Sequence, residues 1–452
     1  MKSINPYTQE TINEYTELTT DEVQARLQEA SSAFERWRTT TFAERAAAMK
    51  RLAEILQRTK IENAGLISDE MGKPIQQAFD EIEKCASVCE YYAEHAEQFL
   101  NPRPVSTDAS YSCVRYDPLG PILAVMPWNF PFWQVFRFAV PTLMAGNAAL
   151  LKHASNVSGC ALEIERIFRS AGFPAGVFTT LLVDASQVEA VLSQPIVRAV
   201  SFTGSEPAGR RVASVAAKNL KKSVLELGGS DSFIVLGDAD IEIAARQAVA
   251  SRTVNSGQSC IAAKRFIVDR SVHDQFIEAM RVEMNSLSIG APRTISTQIG
   301  PLARADLCDQ LADQVQRSRE AGAKVVYGGE RPQRRGCFYS PTILCNVEPN
   351  HPVFTEETFG PVAAVSIADD ADQAVQLANR SSFGLGASIW TGDADRGIEL
   401  ARSLESGSVF INEVTKSDPR VPFGGVKNSG YGRELGEEGI REFINTKTVW
   451  AA

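Results

Sequence analysis

Histidine and paired cysteine, the residues of most zinc sites, are scarce in this sequence. Its 452 residues include four histidines, no two of them close in the chain, and eight scattered cysteines without a CxxC pair. This spacing is typical of neither a metal site nor a disulfide framework. We therefore expect no bound metal and a reducing compartment.

An excess of positive charge is also lacking. Lysine and arginine total 46 against 55 aspartates and glutamates, which gives a net charge of -9. Because nucleic-acid binders neutralise phosphates with basic patches, we expect no nucleic-acid partner.

Long apolar runs are missing as well. The most apolar stretch, 138–151, is bracketed by Arg137 and Lys152 and interrupted by Pro141 and Gly146. Because crossing a bilayer takes about 18 or more apolar residues, we interpret it as a buried element and expect no membrane partner. The N-terminus has no apolar segment typical of a signal peptide, and we expect a cytoplasmic location.

The apolar pattern predicts helices first and alternating strands and helices afterwards. Thr19 with Glu22 and Thr41 with Glu44 form two capping boxes in the helical first part of the chain. Strands and helices that alternate favour parallel, doubly wound sheets. The predicted strands of a first series are 122–126, 148–152, 177–183, 199–203, 225–227 and 233–236.

A second alternating series begins near Arg265 and predicts a second α/β domain. Its predicted strands are 266–268, 324–327, 362–367, 387–390 and 409–412. At roughly 150 residues per domain, the length predicts two to four domains, and ligand sites form preferentially where domains meet. Two strands stand apart from both series, 111–116 and 446–450, and indicate an arm that pairs with another subunit.

A glycine turn suggests a phosphate site. The predicted strand 199–203 leads through Gly204 and Ser205 into a predicted helix. Such a turn leaves backbone N–H groups and the positive end of the helix dipole free for a phosphate. The turn lacks the GxGxxG fingerprint, so an ordinary strand-to-helix turn is the alternative.

One cysteine and one glutamate are candidates for nucleophile and base. Cys260 ends a polar loop, whereas the other cysteines lie in helical or strand-like contexts where a thiol packs as a small apolar group. Glu226 lies between Leu225 and Leu227 at a strand end, where partial desolvation would raise its pKa and suit general-base catalysis. The alternatives are a structural cysteine and a glutamate that faces water.

An asparagine is a candidate oxyanion donor. Pro127 and Pro131 fix the backbone around Asn129, directly after a predicted strand. Its amide can donate an N–H to an oxyanion. The alternative is a rigid aromatic turn.

In conjunction, these motifs resemble those of the aldehyde dehydrogenase superfamily. The resemblance implies a cofactor-binding domain at 1–105 and 119–226 and a catalytic domain at 227–430, both doubly wound α/β. It also implies a small β oligomerisation arm and C-terminal tail at 106–118 and 431–452, and a homodimer or dimer of dimers. The similar segments, in the family's order, are 127–131, 204–209, 225–229, 255–260, 356–361 and 422–427, and the similarity extends from 4–6 to 448–450.

The resemblance also implies roles for single residues. Cys260 would be the nucleophile, Glu226 the general base, and Asn129 with the Cys260 backbone N–H the oxyanion hole. The implied reaction forms a thiohemiacetal, passes hydride to a nicotinamide and hydrolyses the thioester with a water activated by Glu226. Coenzyme-A-acylating relatives typically lack this base.

The implied cofactor-binding residues belong to several motifs. Lys152 and Glu357 would hold ribose hydroxyls, Ser205 would contact the pyrophosphate, and Phe359 would pack near the nicotinamide. The full implied set is Trp128, Lys152, Ser155, Gly204, Ser205, Leu227, Glu357 and Phe359.

Within the family, the chain is most similar to bacterial succinate-semialdehyde dehydrogenases, through the segments 152–156, 224–231 and 416–420. A substrate that ends in a carboxylate needs a cation or a hydroxyl. Arg137 lies in an apolar run where an unpaired guanidinium is costly, and we expect it to bind the substrate rather than form a structural salt bridge. Ser417 is a second expected contact and Trp133 a wall of the aldehyde funnel.

Two departures from some enzymes of this activity bear on regulation and affinity. Ala262 stands where a second cysteine forms a redox switch, so we predict no disulfide regulation at this loop. Val254 stands where a second arginine lies, so substrate affinity would depend heavily on Arg137.

The cofactor preference follows from Ser155. NAD-preferring members often carry glutamate at this position, whose charge would repel a 2′-phosphate. The neutral hydroxyl of Ser155, near Lys152, does not repel a 2′-phosphate. We therefore predict that NADP is preferred and NAD remains usable.

Other functions remain open at this point. A related dehydrogenase for glutarate semialdehyde or a broad range of aliphatic aldehydes is one alternative. A non-catalytic scaffold of the same fold and a thiol hydrolase independent of nucleotide are others. The intact set of Cys260, Glu226 and Asn129 disfavours the scaffold.

Overall fold

The computed structural model describes all residues, 1–452. Its helices are α1 (Thr20–Trp37), α2 (Phe42–Arg58), α3 (Lys60–Met71), α4 (Ile75–Leu100), α5 (Trp133–Met144), α6 (Ser158–Ser170), α7 (Val188–Ser193), α8 (Glu206–Lys218), α9 (Ile241–Thr253), α10 (His273–Asn285), α11 (Ala305–Glu320), α12 (Pro352–Thr355), α13 (Ala371–Asn379), α14 (Ala394–Ala401) and α15 (Gly436–Ile440).

The strands are β1 (Lys2–Ile4), β2 (Thr11–Glu14), β3 (Arg103–Pro104), β4 (Tyr111–Pro118), β5 (Pro121–Met126), β6 (Ala148–His153), β7 (Phe178–Thr180), β8 (Ala199–Thr203), β9 (Lys222–Glu226), β10 (Ser232–Val235), β11 (Arg265–Asp269), β12 (Lys324–Tyr327), β13 (Thr342–Cys345), β14 (Val362–Ala368), β15 (Phe383–Gly384), β16 (Gly386–Trp390), β17 (Ser408–Ile411), β18 (Val426–Lys427), β19 (Gly430–Tyr431) and β20 (Ile444–Ala451).

The helical N-terminal part forms as predicted, apart from one hairpin. Both capping boxes are present, and the Glu22 and Glu44 carboxylates each accept the N–H of their threonine, Thr19 and Thr41, at 2.7 Å. The hairpin of β1 and β2 precedes them. Its side chains are almost all exposed, so it lacks the apolar alternation by which a strand is predicted.

The first main sheet has six strands in the order β19-β9-β8-β5-β6-β7. Its strands are parallel except for β19, which runs antiparallel to β9. The apolar stretch 138–151 is buried as the end of α5 and the start of β6, a strand of this sheet. None of the helices combines the length and apolar character needed to cross a membrane.

The second main sheet has seven strands in the order β12-β13-β14-β11-β10-β16-β17, parallel except for β12. The run 233–236, grouped with the first series by its pattern, instead forms β10 and pairs with β11 and β16 of this sheet. The sequence reading missed β13. The two predicted series of strands and helices therefore form two main sheets, as expected. The domain boundaries stay predictions.

A third, antiparallel sheet lies outside both main sheets, in the order β20-β4-β3. The whole of β20 pairs with β4, from Ile444 opposite Pro118 to Ala451 opposite Tyr111. This confirms that the two strands stand apart from the main sheets.

Candidate active site

The carboxyl ends of four neighbouring strands bring the predicted residues to one sheet edge. In the order β9-β8-β5-β6, Glu226 ends β9, Gly204 follows β8, Asn129 follows β5 and Lys152 lies at the end of β6. In open α/β sheets, ligands bind at this edge. The topology thus collects motifs that are far apart in the chain.

Cys260 lies where two cavities meet. A large cavity of about 650 Å³ runs along the first sheet's edge, and a small cavity of about 170 Å³ lies beside α4 and α5. Cys260 and Gln134 line both cavities. Of the eight cysteines, Cys260 alone is not fully buried. Its sulfur is therefore the thiol that molecules in both cavities can reach.

The loop before Cys260 has an unusual backbone. Asn255, Ser256 and Gly257 have φ of 51°, 54° and 79°, three left-handed residues in a row. A Cβ at Gly257 would lie 2.2 Å from the Gly360 carbonyl carbon, so only glycine fits there. Because left-handed non-glycine residues are strained, contacts with other segments must hold this shape.

Three buried side chains hold the loop. Asn255 Nδ2 donates to the Asn129 carbonyl at 2.6 Å, and Ser256 Oγ donates to the carbonyl of Gly300 at 3.1 Å. Lys264 Nζ donates to the carbonyls of Ser259 and Cys260 at 2.9 and 2.8 Å. The position of Cys260 is therefore fixed from several sides.

Burial favours the protonated form of the Cys260 thiol. Burial raises its pKa to about 12, although the positive charges of Arg137 and Lys264 oppose the shift. A thiolate is the reactive form. A reaction at this sulfur therefore requires removal of its proton.

The structure brings Asn129 together with Cys260 on the wall of the large cavity. Asn129 is buried, and its Nδ2 donates one hydrogen bond, to the Gln258 carbonyl at 3.1 Å. An amide nitrogen carries two hydrogens, so the second is available to a ligand. The Cys260 backbone N–H also has no partner within the protein. Two N–H donors are thus available beside the sulfur.

Glu226 is buried, and neither carboxylate oxygen has a hydrogen-bond partner. Burial raises its pKa well above the ordinary value; the nearby Arg137 opposes this and Glu434 reinforces it. This confirms the expected desolvation and excludes a glutamate that faces water. Glu226 lines neither cavity in this conformation, but a Cβ at Gly424 would lie only 2.8 Å from its Oε1.

The N-terminus of α8 lines the large cavity. Its N-cap, Ser205, makes no side-chain capping bond, and Thr203 Oγ1 is buried without a partner. A Cβ at Gly209 would lie 2.4 Å from a Leu227 methyl group, so glycine lets α8 pack closely on Leu227, directly after β9. Free N–H groups and an unpartnered hydroxyl suit an anionic ligand such as a phosphate.

Aromatic and acidic side chains line the rest of the large cavity. Trp128 and Phe359 meet edge to face, with ring centroids 5.7 Å apart. Glu357 accepts the Gly229 N–H at 3.0 Å and lies 3.6 Å from Lys264 Nζ. The structure thus gathers six predicted residues on one wall: Trp128, Gly204, Ser205, Leu227, Glu357 and Phe359.

Lys152 and Ser155 lie outside that wall, next to it at the end of β6. Lys152 is buried without a polar partner; burial lowers its pKa, and Asp184 and Glu17 oppose the shift. Ser155 is exposed, and its hydroxyl makes no hydrogen bond within the protein. Both polar groups are therefore free to bind a ligand that extends past the cavity.

The structure corrects the expectation for Arg137. Its guanidinium is buried and forms an ion pair with Glu434, and it lies 4.5 Å from the Phe423 ring centroid. The expectation that it would not form a structural salt bridge is wrong, because Glu434 comes from a distant part of the chain. Arg137 nevertheless lines the small cavity, so a substrate contact stays a prediction.

The small cavity also contains Trp133 and Ser417, and a lysine that the sequence analysis missed. Lys84, on α4, donates from Nζ to Ser417 Oγ at 2.8 Å and lies 4.3 Å from the Trp133 ring centroid. Arg304, 5.6 Å from the Trp128 ring centroid, was missed in the large cavity. No local motif marks either residue.

Comparison with known proteins identifies the fold and its chemistry. The aldehyde dehydrogenase family profile matches residues 1–449. The chain belongs to this family. Among the relatives of this aldehyde dehydrogenase, a probable succinate-semialdehyde dehydrogenase (NADP(+)) of Synechocystis sp. is 50% identical over 450 residues, covering 100% of this chain and 99% of that protein.

Two further relatives agree along the whole chain. A succinate semialdehyde dehydrogenase (NAD(P)+) of Escherichia coli is 46% identical over 448 residues, covering 99% of this chain and 97% of that protein. The crystal structure of succinic semialdehyde dehydrogenase from Streptococcus pyogenes in complex with NADP+ is 36% identical, with a TM-score of 0.97 and 99% of each chain covered. The predicted family and α/β fold class are confirmed.

Proposed function

We propose that this aldehyde dehydrogenase oxidises succinate semialdehyde to succinate, with NADP as preferred cofactor and NAD as a usable one. The observation that carries the proposal is the position of Cys260, shared by a long cavity with phosphate-binding character and a small cavity with cationic side chains. The relatives named for this reaction support it, because they match over the full chain. Initial rates on succinate semialdehyde with each cofactor test it; absence of oxidation with both would refute it.

The large cavity fits a nicotinamide dinucleotide. The α8 N-terminus and Thr203 would hold the pyrophosphate, Glu357 and Lys152 the ribose hydroxyls, and the aromatic pair the nicotinamide end. When bound, this cofactor supplies a hydride acceptor. A cavity of about 650 Å³ is in the range of small-molecule sites, and Lys152 lies outside it at the same sheet edge.

The chain's own residues then act at one carbon. Cys260 Sγ gives its proton to solvent in the cavity and attacks the aldehyde carbonyl carbon, so that the C=O π bond breaks as the S–C bond forms. The second hydrogen of Asn129 Nδ2 and the Cys260 backbone N–H donate to the oxygen as it becomes negative. After oxidation, Glu226 takes a proton from the water that attacks the thioester, and the acid is released.

Glu226→Gln is expected to separate the two halves of the reaction. Glutamine keeps the shape but cannot accept the proton, so thioester should accumulate and reduced cofactor should appear in a burst followed by slow turnover. Stopped-flow absorbance measures both phases. In the wild type, the raised pKa means that deacylation should accelerate with rising pH as Glu226 loses its proton. One slow phase without a burst would assign Glu226 to an earlier step.

Ser155 underlies the proposed cofactor preference. Its exposed hydroxyl can donate to a 2′-phosphate, and Lys152 adds a positive charge nearby on the same segment. Free ribose hydroxyls meet nothing repulsive at this position. This supports NADP as the preferred cofactor and leaves NAD usable.

Ser155→Glu is expected to shift the preference toward NAD. The introduced carboxylate repels a 2′-phosphate, so kcat/KM for NADP should fall by about tenfold or more while that for NAD changes little. The matched control is Ser155→Gln, because glutamine has the size of glutamate without its charge. Its kcat/KM for NADP should fall far less. A wild-type kcat/KM higher with NAD than with NADP would contradict the role of Ser155.

We further propose that the sheet of β3, β4 and β20 is the subunit contact of a homodimer or dimer of dimers in the cytoplasm. Tyr111 and Trp450, at the same end of β4 and β20, are 55% and 53% exposed in the single chain. Exposed aromatics on a separate sheet favour a protein interface. Sedimentation equilibrium tests the assembly; a monomer at micromolar concentration would refute it.

A further inference from the structure

The two cations of the small cavity differ in how their charges are compensated. Arg137 is buried, and its charge is compensated by an ion pair with Glu434, although its Nε and Nη2 have no hydrogen-bond partner. Lys84 forms no ion pair; its polar contact is the neutral Ser417 Oγ. A charge without a partner in a substrate cavity is a candidate for binding an oppositely charged ligand.

The carboxylates near Lys84 all have other partners. Glu81 accepts the Phe132 and Trp133 N–H groups at 2.8 and 2.9 Å and pairs with Lys73. Asp418 pairs with Arg420, and exposed Asp80 accepts a hydrogen bond from Gln76. None of them neutralises Lys84, although Glu81 and Asp418 favour its charged form at longer range.

The ammonium of Lys84 contacts two side chains that line the small cavity, Trp133 and Ser417. The Trp133 ring, 4.3 Å away, stabilises the cation and limits its positions. Ser417 Oγ accepts from Lys84, so its own hydrogen is free to donate in turn. Ammonium and hydroxyl together offer two adjacent donors, the arrangement that a carboxylate accepts with its two oxygens.

We propose that Lys84 and Ser417 form the subsite that binds the terminal carboxylate of the aldehyde substrate, with Lys84 as the residue that selects for it. This rests on the proposed function, since it assumes that the substrate carries such a carboxylate. Cys260 and the pair line the same cavity of about 170 Å³, which suits a short chain between the aldehyde and the acid. Arg137 lines the same cavity and stays a predicted second contact, with its charge already compensated by Glu434.

Lys84→Met tests whether the charge of Lys84, rather than the packing of its side chain, binds the substrate carboxylate. Methionine keeps the apolar stem over Trp133 and removes the charge. We expect KM for succinate semialdehyde to rise about ten- to a hundredfold with kcat nearly unchanged, and the constants for butyraldehyde to change less than about threefold. Lys84→Arg should retain most of the preference. The matched control is Lys60→Met, which removes a lysine that contacts Phe79 outside the cavity.

Different results separate this proposal from the proposed function. Equal losses for both aldehydes, or no loss for either, would overturn the role of Lys84. A wild type that prefers glutarate semialdehyde, with that preference lost in Lys84→Met, would refute the proposed substrate and keep the subsite. A wild type that shows no preference for any aldehyde with a carboxylate, and no competitive inhibition by succinate, would refute both.

The pH dependence gives an independent test. Burial, with a contribution from Arg137, lowers the pKa of Lys84 to about 8, and Cys85, Asp418 and Glu81 oppose the shift. A lysine is charged below its pKa, so carboxylate binding is lost as pH rises through this value. The ratio of kcat/KM for succinate semialdehyde to that for butyraldehyde cancels the shared titrations of Cys260 and Glu226. It should fall above pH about 8 in the wild type and stay flat in Lys84→Met; a flat wild-type ratio would overturn the proposal.

Discussion

Cys260→Ala is expected to abolish aldehyde oxidation and leave NADP binding close to that of the wild type. The change removes the sulfur shared by the two cavities, while the α8 N-terminus and the aromatic wall stay intact. Initial rates measure the first effect and isothermal titration calorimetry the second. Cys345→Ala, which removes a buried thiol of the second sheet, is the matched control and should stay active.

The same variant tests whether the reaction requires covalent chemistry at the Cys260 sulfur. If Cys260→Ala kept oxidation within an order of magnitude of the wild type, covalent chemistry at this sulfur would be wrong. If it lost NADP binding as well, the large cavity would depend on the nucleophile loop. Full loss of oxidation with intact binding is the result that the proposed mechanism requires.

Asn129→Ala is expected to lower kcat by roughly 10²–10³, the usual effect of removing one oxyanion donor. KM should change little, since the bond forms as charge develops on the oxygen. Asn129 Nδ2 also donates to the Gln258 carbonyl, so a distorted loop could produce a similar loss. The alkylation rate of Cys260 by iodoacetamide distinguishes the two causes, because it does not involve an oxyanion.

The outcome of that labelling decides the interpretation. An alkylation rate and thermal unfolding midpoint near those of the wild type would assign the loss to the oxyanion. A changed rate, or a kcat within threefold of the wild type, would contradict the proposed donor. Asn285→Ala, which removes an exposed amide at the end of α10, is the control and should keep full activity.

Much of the site could be predicted because it depends on local sequence. Strands such as β5, β6 and β8 carry short apolar runs with turn residues after them, and parallel pairing places their carboxyl ends together. Asn129, Glu226 and Cys260 stand in motifs of fixed spacing. The identity of the catalytic candidates therefore follows from local sequence, whereas the loop geometry at Cys260 depends on contacts with distant segments.

The ion pair and the substrate lysine could not be predicted in this way. Glu434 faces Arg137 only after the C-terminal part of the chain packs against α5. No local pattern at either residue predicts this ion pair. Lys84 lies on an amphipathic helix where a lysine is ordinary. Its significance arises from Ser417 and Trp133, which come from two other segments. Side-chain charge compensation is a property of tertiary structure.

The reciprocal bonds between Asn129 and the loop before Cys260 have a consequence for biosynthesis. Asn129 follows a strand of the first sheet, whereas Asn255 and Gln258 precede β11 of the second, and bonds run in both directions between them. The first part of the chain is made first, and we expect the loop to take its left-handed shape only once it meets Asn129, because bonds in both directions join them. A chain that stalls before docking carries the thiol without the geometry that uses it. We therefore expect newly made enzyme to be inactive until these bonds have formed.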